Sequence, residues 1–279
     1  MRSGFVALVG RPNVGKSSLA NAICGTKVTI VSPVPQTTRR RVRGVLHRPD
    51  AQVVLVDTPG LHDARTALGR AANDAAREAA ADVDLACLVL DATAGWTPAD
   101  EAVARGCDMA RTVIVVNKAD AAGAAAVGAC LAATASLGAA AWHPVSARTG
   151  EGVAALVATL VAAMPEGPPL YPEGTIRETD DDEWVAELVR EELMRRTREE
   201  VPHSIATRVV ERDGRIVRCE IVVERESQKG IVIGAGGAML AAVRAAVAPS
   251  LPAGTRLELQ VRVVRNWQRD EDQVARLVE

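Results

Sequence analysis

The amino-acid sequence predicts an α/β domain followed by a smaller α+β domain. Over residues 1–165, short apolar runs alternate with longer Ala-rich segments of helical character, which is typical of a mostly parallel sheet with helices on both faces. The C-terminal part has a different order: helix, two strands, two helices and a last strand. The stretch between the two patterns is rich in proline, with prolines at positions 165, 168, 169 and 172.

Each element follows from its local pattern. The apolar runs predict strands over residues 5–9, 53–57, 85–91, 112–116 and 141–145. The C-terminal part predicts a helix over 183–198, strands over 204–212 and 215–225 around a hairpin turn at Asp213-Gly214, helical pieces over 227–233 and 238–248, and a strand over 255–265. Proline disfavours helix in the residue before it. We therefore predict domains over 1–165 and 183–279, joined by a linker over 166–182.

Composition excludes several classes of protein. The chain of 279 residues carries a formal net charge of −2, so it is no polycation. No run of eighteen apolar residues is present, and a P-loop pattern follows the first strand directly, so we expect a cytoplasmic protein without a signal peptide. The five cysteines and four histidines are scattered, which does not favour a metal or disulfide framework.

The pattern G-x-x-x-x-G-K-[ST] lies between a predicted strand and a predicted helix. In that context its glycines let backbone N–H groups turn toward a phosphate, the helix N-terminus adds positive potential, and the lysine reaches the β- and γ-phosphates. The candidate phosphate-binding residues are Gly10, Arg11, Pro12, Asn13, Val14, Gly15, Lys16, Ser17 and Ser18.

A second motif, D-T-P-G, closes the strand over 53–57 and predicts the magnesium and γ-phosphate contacts. We predict that Asp57, Ser17 and Thr38 hold Mg²⁺ and that the Gly60 backbone contacts the γ-phosphate. Thr37 is the alternative to Thr38, because both lie in the polar, proline-containing stretch between helix and strand. The other nucleotide-binding candidates of this motif are Thr58, Pro59 and Leu61.

The motif N-K-x-D follows the strand over 112–116 and predicts that the base is guanine. The Asp120 carboxylate would accept hydrogen bonds from guanine N1–H and its exocyclic amine, groups that adenine lacks. Lys118 would cover the base, Asn117 would join this loop to the P-loop, and Ser146-Ala147 would contact guanine O6. The ordered set of motifs resembles the translation-factor class of GTPases. A metabolic P-loop kinase would lack N-K-x-D.

The residue after D-T-P-G is Leu61, where Ras-like proteins place the glutamine that orients the attacking water. The chain resembles GTPases with a hydrophobic residue at that position, whose potassium-activated members use a P-loop asparagine to bind K⁺. Asn13 matches that asparagine. The resemblance implies slow intrinsic hydrolysis with Asn13, Lys16, Thr38 and Gly60 as the catalytic set, and stimulation by K⁺.

The C-terminal part contains E-R-x-x-Q-K followed by G-x-x-G between two predicted helices. This arrangement, after a β-hairpin, is that of a type II KH domain, whose glycine loop clamps single-stranded RNA. Residues 175–279 hold 17 basic and 20 acidic residues, but residues 225–265 hold six basic and two acidic ones. The positive charge is therefore concentrated near the predicted RNA-binding loop.

Taken with G-R-P-N-V-G-K-S, Q-T-T-R, D-T-P-G-L-H and S-A-x-T-G-x-G, these motifs resemble the Era-like GTPases over nearly the whole chain. The resemblance implies a GTP/GDP switch that requires Mg²⁺, binds the 3′ end of 16S rRNA and assists maturation of the small (30S) ribosomal subunit. It also implies peripheral association with the inner face of the cell membrane, and we expect a monomer. The RNA-binding residues that it implies are Lys229, Gly234, Ala235, Gly236, Gly237, Arg244 and Arg262.

Two alternative functions remain open from the sequence. One is another RNA-linked GTPase of the same class, serving tRNA modification, against which the E-R-x-x-Q-K and G-x-x-G motifs argue. The other is an RNA-binding adaptor that binds nucleotide with negligible turnover, because Leu61 removes the usual catalytic marker. GTP turnover, measured with and without small-subunit RNA, distinguishes the adaptor from the GTPase.

Overall fold

The computed structural model describes residues 1–60, 66–81 and 83–278. Leu61, one of the predicted nucleotide contacts, lies outside these residues. The chain divides into two compact units. The first comprises Met1–Thr29, Thr38–Ala64 and Gly69–Glu178, and the second comprises Ile30–Thr37, Arg65–Leu68 and Thr179–Glu279.

The first unit is a six-stranded sheet flanked by helices, which confirms the predicted α/β class. The strand order is β2-β3-β1-β4-β5-β6, with only β2 antiparallel to its neighbour. The strands are β1 (Arg2–Val9), β2 (Val42–Arg48), β3 (Ala51–Asp57), β4 (Leu85–Asp91), β5 (Thr112–Asn117) and β6 (Ala141–Pro144). The helices are α1 (Lys16–Cys24), α2 (Ala67–Ala81), α3 (Pro98–Ala104), α4 (Ala119–Thr134) and α5 (Val153–Ala163).

Two hydrophobic clusters show that both faces of this sheet are covered. Alternate residues of β1 illustrate the division, because Val6 and Leu8 pack with α1 and α5 whereas Ala7 and Val9 pack with α3 and α4. Successive side chains of a strand point to opposite faces, so a strand covered on both sides must be apolar throughout. This is why the central strands were visible in the sequence as continuous apolar runs.

Strand β2 is the one strand of this sheet that the sequence pattern did not predict. Its sequence, Val-Arg-Gly-Val-Leu-His-Arg, mixes polar and apolar residues without a regular pattern. It pairs with β3 along its length, and its other edge makes only an isolated backbone bridge, from Gly44 to Arg177. An edge strand needs no continuous apolar run, because part of its surface faces solvent. Arg43 lies in this strand and pairs with Glu178 at 2.9 Å.

The last boundary between the two units along the sequence lies between residues 178 and 179. The residues before that boundary pair with the first unit through backbone bridges, Arg2 with Glu166 and Gly44 with Arg177. The buried Gln52 side chain also accepts hydrogen bonds from the backbone N–H groups of residues 170 and 171. This proline-rich segment is therefore a strap along the edge of the first unit.

The second unit is a three-stranded sheet packed against helices, in the predicted order. Strand β7 (Ala206–Asp213) is antiparallel to β8 (Ile216–Val223), and β9 (Arg256–Val263) is parallel to β8. The helices are α6 (Asp181–Arg196), α7 (Val201–Ser204), α8 (Glu226–Ile233), α9 (Ala238–Val247) and α10 (Glu271–Val278), of which the short α7 and α10 were not predicted. Asp180 caps α6, accepting a hydrogen bond from the Glu183 backbone at 2.8 Å, as acidic residues do at helix N-termini.

By length and composition, one helical stretch among the described residues, Ala119–Leu137, could cross a membrane. It comprises α4 and the turn after it. Cys130 of α4 is buried in the cluster on one face of the sheet, and Val127 and Leu131 pack against that cluster. In this fold the stretch is a helix that covers the sheet.

Candidate nucleotide-binding and RNA-binding sites

The nucleotide motifs meet because parallel strands end at the same edge of a sheet. Strand β1 ends at Val9, just before the P-loop, while β3 ends at Asp57 and β5 ends at Asn117. Ser146, two residues beyond β6, is fully buried. Motifs that are far apart in the sequence are thereby brought to one site.

The P-loop depends on two glycines in backbone conformations that side chains rarely adopt. Gly10 has φ 148° and Gly15 has φ 96°. A Cβ atom at Gly10 would lie 2.5 Å from the Val89 carbonyl oxygen, and one at Gly15 would lie 2.3 Å from the Asn117 amide nitrogen. Helix α1 begins directly afterwards at Lys16, so its unpaired N–H groups face the loop.

Lys16 is buried and is held by the loop that contains it. Its Nζ donates hydrogen bonds to the carbonyl oxygens of Gly10 at 2.8 Å and Arg11 at 3.0 Å. Burial lowers the pKa of Lys16 from 10.5 to about 8, and the Asp57 carboxylate opposes that shift. A phosphate group beside this ammonium would favour its charged form.

The Asp57 carboxylate is the centre of a cluster of hydroxyl groups. Its Oδ2 accepts hydrogen bonds from Ser17 at 2.8 Å, Thr29 at 3.1 Å and Thr38 at 3.3 Å. Ser17 and Thr38 hydroxyls also lie 3.0 Å apart. Burial raises the pKa of the Asp57 carboxyl, against the lowering effect of Lys16 and of the three hydroxyls.

This donor set fits Mg²⁺. Asp57 Oδ1 is buried and has no hydrogen-bond partner within the described part of the chain, and unpaired buried carboxylate oxygens require a compensating group. The hydroxyls of Ser17 and Thr38 beside it are oxygen ligands of the kind that Mg²⁺ prefers. The three residues predicted for the metal are thus brought together.

Thr38, and not Thr37, has its hydroxyl at this cluster. The Thr37 hydroxyl donates to the Val34 carbonyl oxygen at 2.7 Å instead. The geometry therefore favours Thr38 over Thr37 as the threonine at the Mg²⁺ site.

Gly60 packs directly against the P-loop. A Cβ atom at position 60 would lie 2.6 Å from the Pro12 backbone nitrogen, so only glycine permits this approach. The preceding Thr58 hydroxyl donates to the Leu8 carbonyl oxygen at 2.7 Å, which anchors the D-T-P-G loop to β1. The D-T-P-G loop is thus packed against Pro12, the third residue of the P-loop pattern, without room for a side chain at position 60.

The buried Asn117 side chain connects three loops of the site. Its Nδ2 donates to the Val14 carbonyl oxygen at 2.9 Å, and its Oδ1 accepts from the Ala147 backbone at 3.0 Å. Lys118, in a left-handed conformation with φ 63°, donates through Nζ to the Asn13 carbonyl oxygen at 2.8 Å and to Asp91 at 2.6 Å. The P-loop, N-K-x-D and S-A-x motifs thus form one hydrogen-bonded set.

Asp120, the residue predicted to bind guanine, is ionised at neutral pH. Its hydrogen bonds with Ser146 and Arg148 lower the pKa of its carboxyl group. Arg148 donates through Nε to Asp120 Oδ2 at 2.8 Å, but its own side chain is 79% exposed, so water screens this ion pair. A carboxylate in this state is the acceptor that guanine N1–H and N2–H₂ require.

Four residues of the nucleotide site were missed at the sequence level. Thr29 donates to Asp57, and the Asn21 side chain holds the backbone of Thr29. Asp91 pairs with Lys118, and Asp100 pairs with Arg11. Only Asp91 had a visible signal, since it closes an apolar strand in the same way as Asp57 does.

In the second unit, the glycine loop joins α8 to α9. Gly234, Gly236 and Gly237 all have positive φ, at 73°, 58° and 82°. A Cβ atom at Gly234 would lie 2.8 Å from the Met239 backbone nitrogen, whereas space around Gly236 and Gly237 is open. The loop thus presents backbone that a sugar-phosphate chain can approach closely.

The predicted RNA-binding side chains do not all lie near this loop. Lys229 is in α8 and Arg244 is an exposed residue of α9. Arg262 is on β9, where Val261 and Val263 pack into the core beneath the helices, so Arg262 faces the opposite side of the sheet. There it lies 4.0 Å from Glu220, which also pairs with Arg208.

Trp267 is a packing residue. It is fully buried, and its indole N–H donates to the Ser204 carbonyl oxygen at 3.0 Å. It therefore contributes no exposed ring for base stacking.

Comparison with known proteins identifies both domains. Residues 5–118 match the family described as 50S ribosome-binding GTPase, and residues 200–268 match the KH domain family. The GTPase Era of Mycobacterium tuberculosis is 45% identical over 99% of this chain and 98% of its own length. The GTPase Era of Mycobacterium avium is 43% identical over the same shares.

Solved structures agree over the full length. A crystal structure of Era in complex with MgGDPNP and nucleotides 1506–1542 of 16S ribosomal RNA superposes with a TM-score of 0.94 and 36% identity, covering 100% of this chain and 99% of that one. An Aquifex aeolicus Era variant bound to GDP·AlF₄⁻ gives a TM-score of 0.93 and 35% identity, with the same coverage. The chain belongs to the Era family of GTPases.

Proposed function

We propose that this GTPase is a nucleotide-controlled RNA-binding factor that binds the 3′ end of 16S rRNA and assists assembly of the small (30S) ribosomal subunit. The observation that carries the proposal is that one chain brings the P-loop, N-K-x-D and S-A-x motifs together and also carries a KH glycine loop with open space around Gly236 and Gly237. The complex of a full-length relative with MgGDPNP and a 16S rRNA fragment supports it.

In the proposed reaction the chain binds and orients GTP for attack by water. Backbone N–H groups of the P-loop and the Lys16 ammonium stabilise the negative charge that develops on the phosphates. Ser17, Thr38 and Asp57 hold Mg²⁺, which when bound adds positive charge beside the β- and γ-phosphates. The Gly60 N–H is the backbone donor expected at the γ-phosphate.

We further propose that K⁺ stimulates turnover through Asn13. This residue has a left-handed conformation with φ 63°, and Lys118 holds its carbonyl oxygen at 2.8 Å. Both features keep residue 13 in one place beside the phosphate site. A cation coordinated there would supply the charge that an arginine finger supplies in other GTPases.

RNA recognition in this proposal depends on backbone and aliphatic contacts. The chain has one Phe and one Tyr, at positions 5 and 171, both in the first unit, so the second unit has neither for stacking on bases. Lys229 on α8 and Arg244 in the last turn of α9 supply positive charge on the two helices that the glycine loop joins, and the loop itself approaches the RNA backbone. Arg262 faces the other side of the sheet and is the least supported of the proposed contacts.

The test is nucleotide-dependent crosslinking to small ribosomal particles. We expect the protein to crosslink near the 3′ end of 16S rRNA to different extents with GDP and with a non-hydrolysable GTP analogue, and Gly236→Asp to reduce the crosslink strongly. A crosslink confined to tRNA would favour the tRNA-modification alternative. No nucleotide-dependent crosslink to small-subunit RNA would overturn the proposal.

In this proposal the GTPase acts as a monomer in the cytoplasm. Sedimentation in the presence of GDP tests whether it is a monomer. The peripheral membrane association implied by resemblance stays a prediction. Flotation with vesicles that contain anionic lipids tests it, with recovery of the protein in the pellet as the contrary result.

A further inference from the structure

Arg11, which follows the first glycine of the P-loop, pairs with the buried carboxylate of Asp100 in α3. Arg11 Nε donates to Asp100 Oδ1 at 2.6 Å. The Arg11 side chain is 22% exposed, whereas the Asp100 side chain is completely buried. Unlike a surface ion pair, a pair with one fully desolvated member makes removal of either partner costly, because it leaves an uncompensated charge.

Asp100 is itself fixed in position by the start of α3. Its Oδ2 accepts hydrogen bonds from the Thr97 hydroxyl at 2.6 Å and the Thr97 backbone N–H at 3.1 Å. This is a capping box in which Asp100 is the third residue of the helix. One carboxylate oxygen therefore caps α3, and the other is directed to Arg11.

The backbone of Arg11 connects it to the phosphate site. The Arg11 carbonyl oxygen accepts a hydrogen bond from Lys16 Nζ at 3.0 Å. The next residue, Pro12, is the backbone against which Gly60 packs without room for a Cβ atom. Arg11 thus lies between the phosphate-binding lysine and the loop expected at the γ-phosphate.

We propose that Asp100 is a positioning residue for the nucleotide site. It acts through Arg11, whose backbone helps to place Lys16 and the D-T-P-G loop. The consequence is that guanine nucleotide affinity depends on a helix that contributes no phosphate contact of its own. This inference rests on the nucleotide binding of the proposed function.

A double-mutant cycle of Arg11→Ala and Asp100→Asn tests it on the full-length protein. An asparagine at position 100 keeps a carbonyl oxygen for the Thr97 cap but presents an amide N–H₂ group to Arg11. We expect each single variant to weaken GDP binding about tenfold. The double variant should also lose about tenfold, rather than the hundredfold of independent sites. Glu101→Gln, on the exposed side of the same helix and paired with Arg105, is the matched control and should bind GDP normally.

Thermal stability distinguishes positioning from a structural role. A structural role predicts that Asp100→Asn lowers Tm but leaves GDP affinity unchanged well below Tm, and this result would overturn the inference. Multiplicative losses in the double variant would also overturn it. If Asp100→Asn does not fold, Arg11→Ala with normal GDP affinity is the contrary result. Absence of GDP binding by the wild type would overturn the proposed function itself.

Discussion

The nucleotide site and the glycine loop of the KH unit are both predicted to hold phosphate groups, but they are built differently. The nucleotide site consists of buried polar side chains, such as Asp57 and Asn117, that meet from separate strands. The glycine loop consists of a short stretch of backbone with three glycines at positive φ, two of which, Gly236 and Gly237, have open space around them. In the first site, function depends on long-range hydrogen bonds, whereas in the second it depends on local backbone conformation.

The comparison predicts that single side-chain removals affect the nucleotide site most. Lys16→Ala should lower GTP turnover about thousandfold, because it removes the buried positive charge beside the phosphates. Steady-state phosphate release measures the effect. Lys27→Ala, at an exposed lysine, is the control and should retain wild-type turnover. Near-normal turnover of Lys16→Ala would contradict the assignment of the phosphate site.

Asp120→Asn should weaken GTP binding about hundredfold or more, because the amide N–H₂ would face the N–H donors of guanine. Xanthine carries a carbonyl where guanine has its amine, so the variant should bind XTP better than GTP. Competition binding with the two nucleotides measures this change. Glu151→Gln, which removes the charge of an exposed acidic residue in the same unit, serves as the control. Unchanged preference for GTP in Asp120→Asn would contradict guanine recognition by this residue.

Gly236→Asp should weaken RNA binding about tenfold, because a carboxylate in the loop repels the RNA phosphates. GTP turnover without RNA should not change. The matched control is Gly214→Asp, since Gly214 also has a left-handed conformation, at φ 56°, with open space around it, but lies in the β7–β8 hairpin. Equal RNA affinities of the two variants would show that the loop is not the RNA site.

Replacing Na⁺ by K⁺ should raise GTP turnover several-fold, by about 1 kcal/mol of transition-state stabilisation. Asn13→Ala should remove that difference while retaining the basal rate in Na⁺. Initial rates in matched chloride salts measure it. Equal wild-type rates in the two salts would contradict the role proposed for Asn13.

The smallest expected change in RNA affinity tests which face of the second unit binds RNA. Arg262→Ala should change RNA affinity less than about twofold, because its side chain lies on the sheet face away from the helices, near Glu220. Arg244→Ala, on α9, should weaken binding severalfold and reduce its salt dependence. Filter binding at two ionic strengths compares them. A larger loss for Arg262→Ala would place the RNA on the opposite face.

The fold was predictable where burial forces an apolar pattern. The central strands β3, β4 and β5 are covered on both faces, so nearly every residue in them is apolar. Strand β2 was missed because three of its seven residues are polar, and its pattern is neither continuously apolar nor strictly alternating. Helix α10 was missed because three of its eight residues are charged, so its apolar pattern is weak. Its position depends on tertiary packing, in which Val274 is buried.

The candidate site was predictable where a short motif determines the backbone conformation and side-chain contacts within itself. The P-loop requires glycine at two left-handed positions and a lysine that folds back on the same loop, all within nine residues. The Arg11–Asp100 pair was not predictable, because 89 residues separate its members and many other acidic residues could have paired with Arg11. Their meeting depends on how α3 is placed beside the sheet.

The sequence by itself determined the α/β and KH fold classes, the guanine nucleotide as ligand and the presence of a KH glycine loop, because each is encoded by neighbouring residues. Only the tertiary structure decided that the Thr38 hydroxyl, rather than that of Thr37, reaches Asp57, and that Thr29 joins it. It also decided that Arg262 faces away from the helices. The physical reason is that residues of the same type have the same local propensity, and only packing of distant segments selects which of them meet.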